Sequence, residues 1–360
     1  MGESAMNYVR NAWYVAGWDP DLGDGPEPIA ILGEPLVLWR AGDRVVALED
    51  RCAHRMAPLS LGRCEGRALR CMYHGMLFDE DGQCIQIPGQ DTIPPRARVK
   101  SYPAATRHSW IWVWMGDPAL ADKALIPPAV GFDDPDYILG RGFLDYEAEA
   151  RLINDNLLDF SHLSYVHAES FGAGPEFADR LARTIPLDRG VRFQRWITNT
   201  HGMSNRRSPV PVDSFQSYDF LIPGVLLMWS GLFPAGTAER LDHGEPPMND
   251  AVSGLNFTSQ AVTPMGDGTA RYFFSWGPHR RHGDEAMRDG MMGLAGKAFH
   301  EDKVMIEAQH KVIQRSANQR IVPTAHDRGV TLFNRLVERM SREEREAVSD
   351  IPAVQDRVPA

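Results

Sequence analysis

Four side chains near the N-terminus carry the clearest chemistry in this sequence: Cys52, His54, Cys71 and His74. Two short segments each supply one cysteine and one histidine, as Cys-Ala-His and Cys-Met-Tyr-His, with sixteen residues between His54 and Cys71. A [2Fe–2S] cluster of the Rieske type needs this inventory. Two thiolates hold one iron and two neutral imidazoles hold the other, which raises the potential above that of an all-cysteine cluster. A Cys2His2 zinc site is the competing reading. Zinc motifs usually place a Cys pair first and a His pair second, so the alternating order favours the cluster.

A second constellation lies in NDNLLDFSHLSYVHAE, which contains Asp159, His162 and His167. Two histidines and a carboxylate on one face of an iron form the facial triad of non-haem Fe(II) oxygenases, leaving positions open for O2. His162 and His167 are five apart, about 140° around a regular helix. A π-bulge or a break in the helix is therefore expected between them. The missing carboxylate is sought on the late helical pattern Glu285–Gln314. Its apolar positions Met291, Ala295, Ala298 and Met305 place Asp302 on the same stripe, with Glu301 and Lys303 pointing away. A lone buried carboxylate is costly unless neutralised, paired or metal-bound, so Asp302 is preferred, with Glu307 and Asp284 as competitors.

These sites need scaffolds. With 360 residues, 43% hydrophobic and 24% charged, the chain suits two globular domains. Its formal charge of −10 offers no basic face for nucleic acid. The longest strongly apolar stretch, Gly224–Phe233, is too short to span a membrane, and no secretory signal is expected. Beyond the cluster, only Cys64 and Cys84 remain, read as small buried or loop thiols in a reducing cytoplasm. The first third reads as β-structure, with runs at Pro28–Trp39, Arg44–Asp50, Met76–Phe78, Cys84–Ile87 and Trp110–Trp114. Trp110, Trp112 and Trp114 alternate with Ile111 and Val113, as in a strand packed on both sides. Gly116-Asp117-Pro118 and Pro127-Pro128 mark the crossing between domains. Arg151–His167 reads as a helix. Further β-runs follow at Gly190–Thr198, Ser214–Ile222, Val225–Phe233, Gly254–Val262 and Ala270–Trp276, fitting an antiparallel sheet. Asn205–Asp213 and Pro234–Asp250 read as long loops, and Ser341–Asp350 as a solvated helix face in a charged tail.

The segments NAWYVAGW, HRMAPLSLG, CMYHG, WIWVWMGDPALADKALIP, DNLLDFSHLSYVHA and HEDKVMIEAQ resemble the oxygenase components of Rieske non-haem iron oxygenases. Within them the chain looks like the vanillate and dicamba O-demethylase branch, and the likeness extends to about residue 310. The resemblance implies an α+β protein. A Rieske [2Fe–2S] β-domain (residues 1–120, ligand loops 50–76) would precede a helix-grip catalytic domain (121–345) and a tail (346–360). Cys52, His54, Cys71 and His74 would hold the cluster, and His162, His167 and Asp302 the mononuclear Fe(II). Asn156 would lie beside that iron, and Asp159 would bridge His162 to His74 of a neighbouring subunit in a homotrimer or a multiple of it. Two electrons from NAD(P)H would arrive through a separate reductase, with O2 as co-substrate.

The implied reaction is O-demethylation of a vanillate-like methoxylated aromatic acid to a phenol and formaldehyde. Aryl-methyl hydroxylation and ring dihydroxylation are the alternatives, and a non-catalytic electron carrier would need only the first domain. Many ring dihydroxylases carry Trp after the second loop's His-Gly; Met76 stands there instead and disfavours that reading. Trp229, Phe233, Tyr272, Trp276 and His279 are expected to face the iron, with Arg280 or Arg281 clamping a substrate carboxylate.

Overall fold

The computed structural model describes residues 8–202, 208–317 and 320–349. Two β-rich layers carry the first metal motif. One sheet orders Glu27–Ile31, Glu34–Ala41, Arg44–Glu49 and Ser101–Tyr102; the other orders Arg63–Glu65, Ala68–Arg70, Leu77–Phe78 and Cys84–Gln86. The first ligand loop leaves Arg44–Glu49, and the second joins Ala68–Arg70 to Leu77–Phe78. The expected run Pro28–Trp39 is two strands, because Leu32 and Gly33 both adopt positive φ and turn the chain.

Trp110–Trp114 pairs antiparallel with Trp13–Trp18, a strand not read from the sequence. All five of its residues are buried. Trp110, Trp112 and Trp114 pack against Val225, Leu227 and Phe273, while Ile111 and Val113 join the main core. This strand therefore seals one face of the C-terminal sheet.

That sheet has seven antiparallel strands, in the order Gly140–Tyr146, Thr269–Pro278, Ser253–Gly266, Val225–Pro234, Val212–Leu221, Gly190–Thr200 and Arg183–Leu187. Helices Ala150–Leu158, Glu285–Arg315 and Arg328–Ser349 cover its other face, each burying an apolar stripe there. The architecture is α+β. The last helix crosses the expected boundary at 345, and within the presumed solvated stretch Ser341 is buried. Residues 205–207 of the first expected loop and 350–360 of the expected tail lie outside the described residues. The second loop contains a short helix, Thr237–Arg240. Among the described residues, no helix is long and apolar enough to cross a membrane.

Candidate metal centres and the cavity between helix and sheet

The two N-terminal ligand loops share a backbone plan. In the first, Cys52 N–H donates to Ala57 O at 2.8 Å and Met56 N–H to Cys52 O at 3.0 Å. In the second, Cys71 N–H donates to Met76 O at 2.8 Å and Gly75 N–H to Cys71 O at 2.9 Å. Met56 and Gly75 occupy matching positions with φ of 59° and 81°. At Gly75 a Cβ would also meet Pro88 Cγ at 2.8 Å, so only glycine fits. Loop stems are braced as well: Asp50 accepts from Ser60 N and Oγ, both at 2.6 Å, and Arg70 Nη1 donates to Gly75 O at 2.7 Å.

This plan segregates the four ligands by type. Cys52 and Cys71 are buried side by side, whereas His54 and His74 are exposed at the loop tips with ring centroids 4.6 Å apart. Burial, together with the Cys71 thiol beside it, pushes the Cys52 thiol up to about 11. Two thiolates there require a compensating cation. A single tetrahedral zinc would draw all four donors onto one point at bond lengths of about 2.0–2.3 Å. Among the described residues, the only set bringing three donor atoms within 4.8 Å of one another is His162, His167 and Asp302. Paired thiols on one side and paired imidazoles on the other fit two irons held apart by bridging sulfides.

The second centre is assembled by a helix that stops. Instead of continuing to His167, the helix ends at Leu158; Asp159 is extended at φ −133°, ψ 102°, and a 3-10 turn follows over Phe160–Ser164. Asp159 ends one element and caps the next, its Oδ1 accepting from Ser161 N at 2.8 Å. The chain then turns so that the His162 and His167 rings come within 5.3 Å.

On the late helix the buried positions are Met291, Ala295, Ala298, Phe299, Asp302, Ile306 and His310. Asp302 is on this stripe, but Met305 is not: it is 57% exposed, and Ile306 takes the place assigned to it. Asp302 Oδ1 lies 3.2 Å from His167 Nε2 and 3.6 Å from His162 Nε2. The two competing carboxylates are engaged elsewhere. Asp284 caps the late helix through Met287 N, and Glu307 pairs with Lys303 while accepting from Glu147 N.

Each ligand is held in turn. Asn156 Nδ2 donates to Asp302 Oδ1 at 3.1 Å and lies 3.4 Å from His162 Nε2. His162 Nδ1 donates to the Asp159 carbonyl, not its carboxylate, at 2.6 Å. His167 Nδ1 donates to Glu301 Oε2 at 2.9 Å, and Ser170 Oγ reaches the same oxygen. Glu301 therefore does not point away from the site; its neighbour Asp302 leaves it within reach of the outer edge of His167. Burial lowers the pKa of His162, favouring the neutral ligand form. Burial also opposes charge on His167, but Asp302 and Glu301 outweigh it and raise its pKa. A buried pocket of two imidazoles and a carboxylate that draws positive charge onto a histidine is suited to a divalent cation.

Beside these ligands is a cavity walled by Leu157, Phe160, Leu163, Phe171, Met228, Trp276 and Phe299, with Gln216, Thr258 and Gln260 as further polar lining. Among the described residues, no Lys or Arg is part of that lining. Of the aromatic residues expected here, Trp276 is present, its Nε1 donating to Asn256 Oδ1 at 2.8 Å. Trp229 and Phe233 project from the opposite sheet face into a cluster with Trp196 and Phe215. Tyr272 is buried behind the wall against Phe299 and Phe274. His279 packs on Tyr137, and Arg280 and Arg281 lie in the turn beyond the strand, tied to Asp136 O and Asn249. The arginines do not line the cavity. Gln216, Thr258, Gln260 and Glu301 were not singled out in the sequence; the signal for Thr258 and Gln260 was polar residues at alternate positions of an otherwise buried strand.

Residues 12–103 match the Rieske [2Fe-2S] domain, and residues 146–343 match the vanillate O-demethylase oxygenase C-terminal domain. The chain is 36% identical to the iron-sulfur subunit of the toluene-4-sulfonate monooxygenase system of Comamonas testosteroni, over 94% of this chain and 98% of the relative. It is 34% identical to the oxygenase component of dicamba O-demethylase from Stenotrophomonas maltophilia, over 84% and 88% of the two chains. The crystal structure of dicamba monooxygenase bound to dicamba superimposes with a TM-score of 0.82 at 30% identity, covering 94% of this chain and 99% of that one. A Rieske [2Fe–2S] cluster and a non-haem iron are thus the cofactors of this family, and the N-terminal loops and the set His162, His167 and Asp302 are the candidate residues to hold them. The chain belongs to the Rieske non-haem iron oxygenases, as an oxygenase component related to the vanillate and dicamba O-demethylases.

Proposed function

We propose that this oxygenase component O-demethylates a methoxyarene. Hydroxylation of the methoxy C–H gives a hemiacetal that collapses to a phenol and formaldehyde. One O2 and two electrons from NAD(P)H, delivered through a separate reductase, leave one oxygen in product and one in water. The observation that carries the reading is the apolar wall of Phe171, Trp276 and Phe299 beside His162, His167 and Asp302. It offers a flat ring faces to pack on, with the ligand set at one end.

His162, His167 and Asp302 would hold an iron that supplies O2 activation, and Cys52, His54, Cys71 and His74 a cluster that supplies electrons. The chain's residues do the rest. Asn156 and Glu301 fix Asp302 and His167, the Asp159 carbonyl fixes the His162 tautomer, and the apolar wall excludes water from the reacting C–H. The resemblance implies an aromatic acid; among the described residues, the cavity lining holds no Lys or Arg to pair with its carboxylate.

Aryl-methyl hydroxylation is the second reading, favoured by the 36% identity to the toluene-4-sulfonate system subunit. Turnover of matched methoxyarenes and methylarenes with a reconstituted reductase separates them. Formaldehyde equal to the O2 consumed supports demethylation; an aryl alcohol from a methylarene, with no formaldehyde from any methoxy compound, overturns it.

The same reading includes a head-to-tail homotrimer, or a multiple of one, in which His74 of one subunit meets Asp159 of the next. The exposed tips of the cluster loops support it: around His54 and His74 stand Met56, Met72 and Tyr73, each more than half exposed. An apolar rim of this kind marks an interaction surface.

A further inference from the structure

The strand Ser253–Gly266 lies at the centre of the cavity floor, and its alternate residues Asn256, Thr258 and Gln260 share one face. Each polar group can be followed to its partner. Asn256 is paired at both ends: Nδ2 donates to Ser230 Oγ at 2.9 Å, and Oδ1 accepts from Trp276 Nε1. Thr258 Oγ1 accepts from Gln260 Nε2 at 3.1 Å. The series ends at Gln260 Oε1, which has no hydrogen-bond partner among the described residues. Gln260 is 5% exposed, and the residues opposite it on the two neighbouring strands are Leu226 and Phe274. A buried carbonyl in apolar surroundings is costly to leave unpaired, and here it belongs to a residue lining the cavity.

We propose that Gln260 determines substrate specificity: its side-chain carbonyl accepts a hydrogen bond from an O–H or N–H on the aromatic substrate. The ligand class is therefore an arene bearing a donor, a phenol being the simplest case. This rests on reading the cavity as the substrate site. A donor satisfies Oε1, whereas an ether or a carboxylate presents only acceptors to it and leaves the penalty in place. Thr258 has a positioning role: its hydroxyl holds the Nε2 end of the amide at 3.1 Å and leaves the Oε1 end for the ligand.

The test uses holoenzyme and reductase, with the three isomeric methoxyphenols, the matching dimethoxybenzenes and the matching methoxybenzoates. Dissociation constants come from calorimetry and are independent of turnover; kcat and KM come from O2 consumption. At least one methoxyphenol should bind about tenfold tighter than its dimethoxybenzene, equivalent to about 1.4 kcal/mol. Gln260→Leu should abolish that preference by weakening phenol binding while leaving ether binding unchanged. Its effect should appear in KM rather than kcat, because the contact is made before and during reaction. Thr258→Val, which keeps the shape and frees the amide to rotate, should reduce the preference and serves if Gln260→Leu does not fold.

Equal binding of every phenol–ether pair by the wild-type enzyme would overturn the proposal. So would a preference that survives in both variants, or methoxybenzoate binding that depends on Gln260, which would mean the amide N–H faces the ligand. Formaldehyde release without donor preference would sink this inference and leave demethylation standing. Donor preference without formaldehyde would do the reverse.

Discussion

His167 Nδ1 donates to Glu301 Oε2 at 2.9 Å, while the other ring nitrogen faces Asp302, the residue next to Glu301 in the chain. One turn of the late helix thus presents both the carboxylate proposed to bind the metal and the carboxylate that orients a proposed histidine ligand. Burial opposes ionisation of Glu301, but His167 and Ser170 outweigh it and hold its pKa below the usual value. It is therefore an anion at neutral pH, fixing the proton on Nδ1 and leaving Nε2 free as a ligand.

Removing that anion should weaken the metal site without dismantling it. Glu301→Ala is expected to lower ferrous-ion affinity by about 10–100-fold, with Glu301→Gln in between, since the amide still accepts but carries no charge. Chelator competition on the purified protein measures this, while the visible spectrum of the cluster should not change. Wild-type affinity in Glu301→Ala would show that the contact is incidental.

The burial of Asp302 beside the two histidines was legible in the sequence because a carboxylate on an apolar stripe demands a partner; the inward reach of Glu301 was not, because a charged residue beside that stripe reads as solvent-facing. The stripe itself was phased one residue out at its far end, where Met305 is exposed and Ile306 buried. The cluster loops were legible for a different reason: four ligand types at fixed spacing need no knowledge of the fold. The cavity was the hardest part. In Val225–Pro234 nearly every residue is apolar, so nothing in the alternation tells which face meets the iron. Met228 lines the cavity and its neighbour Trp229 packs on the other side. Likewise the break at Asp159 depends on its cap with Ser161, which the pattern of apolar residues does not encode.

Asp302→Ala should abolish turnover and the mononuclear site together. Metal analysis is expected to find only the two cluster irons per chain, with an unchanged Rieske electron paramagnetic resonance signal. Glu307→Ala is the matched control. Glu307 is bound to Lys303 and Glu147 N instead of facing the histidines, so its loss should leave the third iron in place. Loss of iron from Glu307→Ala, or its retention in Asp302→Ala, would reassign the ligand.

The paired loop plan makes unequal demands at Gly75 and Met56. Both adopt positive φ, but only at Gly75 does a Cβ meet a neighbour inside contact distance, 2.8 Å from Pro88 Cγ. Gly75→Ala should therefore cost roughly 1–3 kcal/mol of local strain and reduce the cluster content of the purified protein. Met56→Gly relieves a left-handed non-glycine residue and should keep full cluster content. The ratio of cluster to protein absorbance reads both, and a fully loaded Gly75→Ala protein would contradict the steric argument.

The Asp159 prediction separates metal binding from electron transfer. The His162 imidazole is held by the Asp159 backbone carbonyl, which survives any substitution of the side chain. The carboxylate is joined to Ser161 N at 2.8 Å and Ser161 Oγ at 3.0 Å, contacts that an asparagine Oδ1 partly retains. Asp159→Asn should thus keep the break in the helix, the iron and the cluster. What it removes is the anion available to an imidazolium or N–H from outside the chain, which in the proposed trimer is His74 of the next subunit. Reduced cluster mixed rapidly with O2 and substrate should then reoxidise much more slowly in Asp159→Asn than in wild type, at equal metal content. Sedimentation should show three copies or a multiple, because a head-to-tail contact must close for every iron to have a donor. Wild-type reoxidation in the variant would remove Asp159 from the electron path, and a fully active monomer at nanomolar concentration would remove the trimer itself.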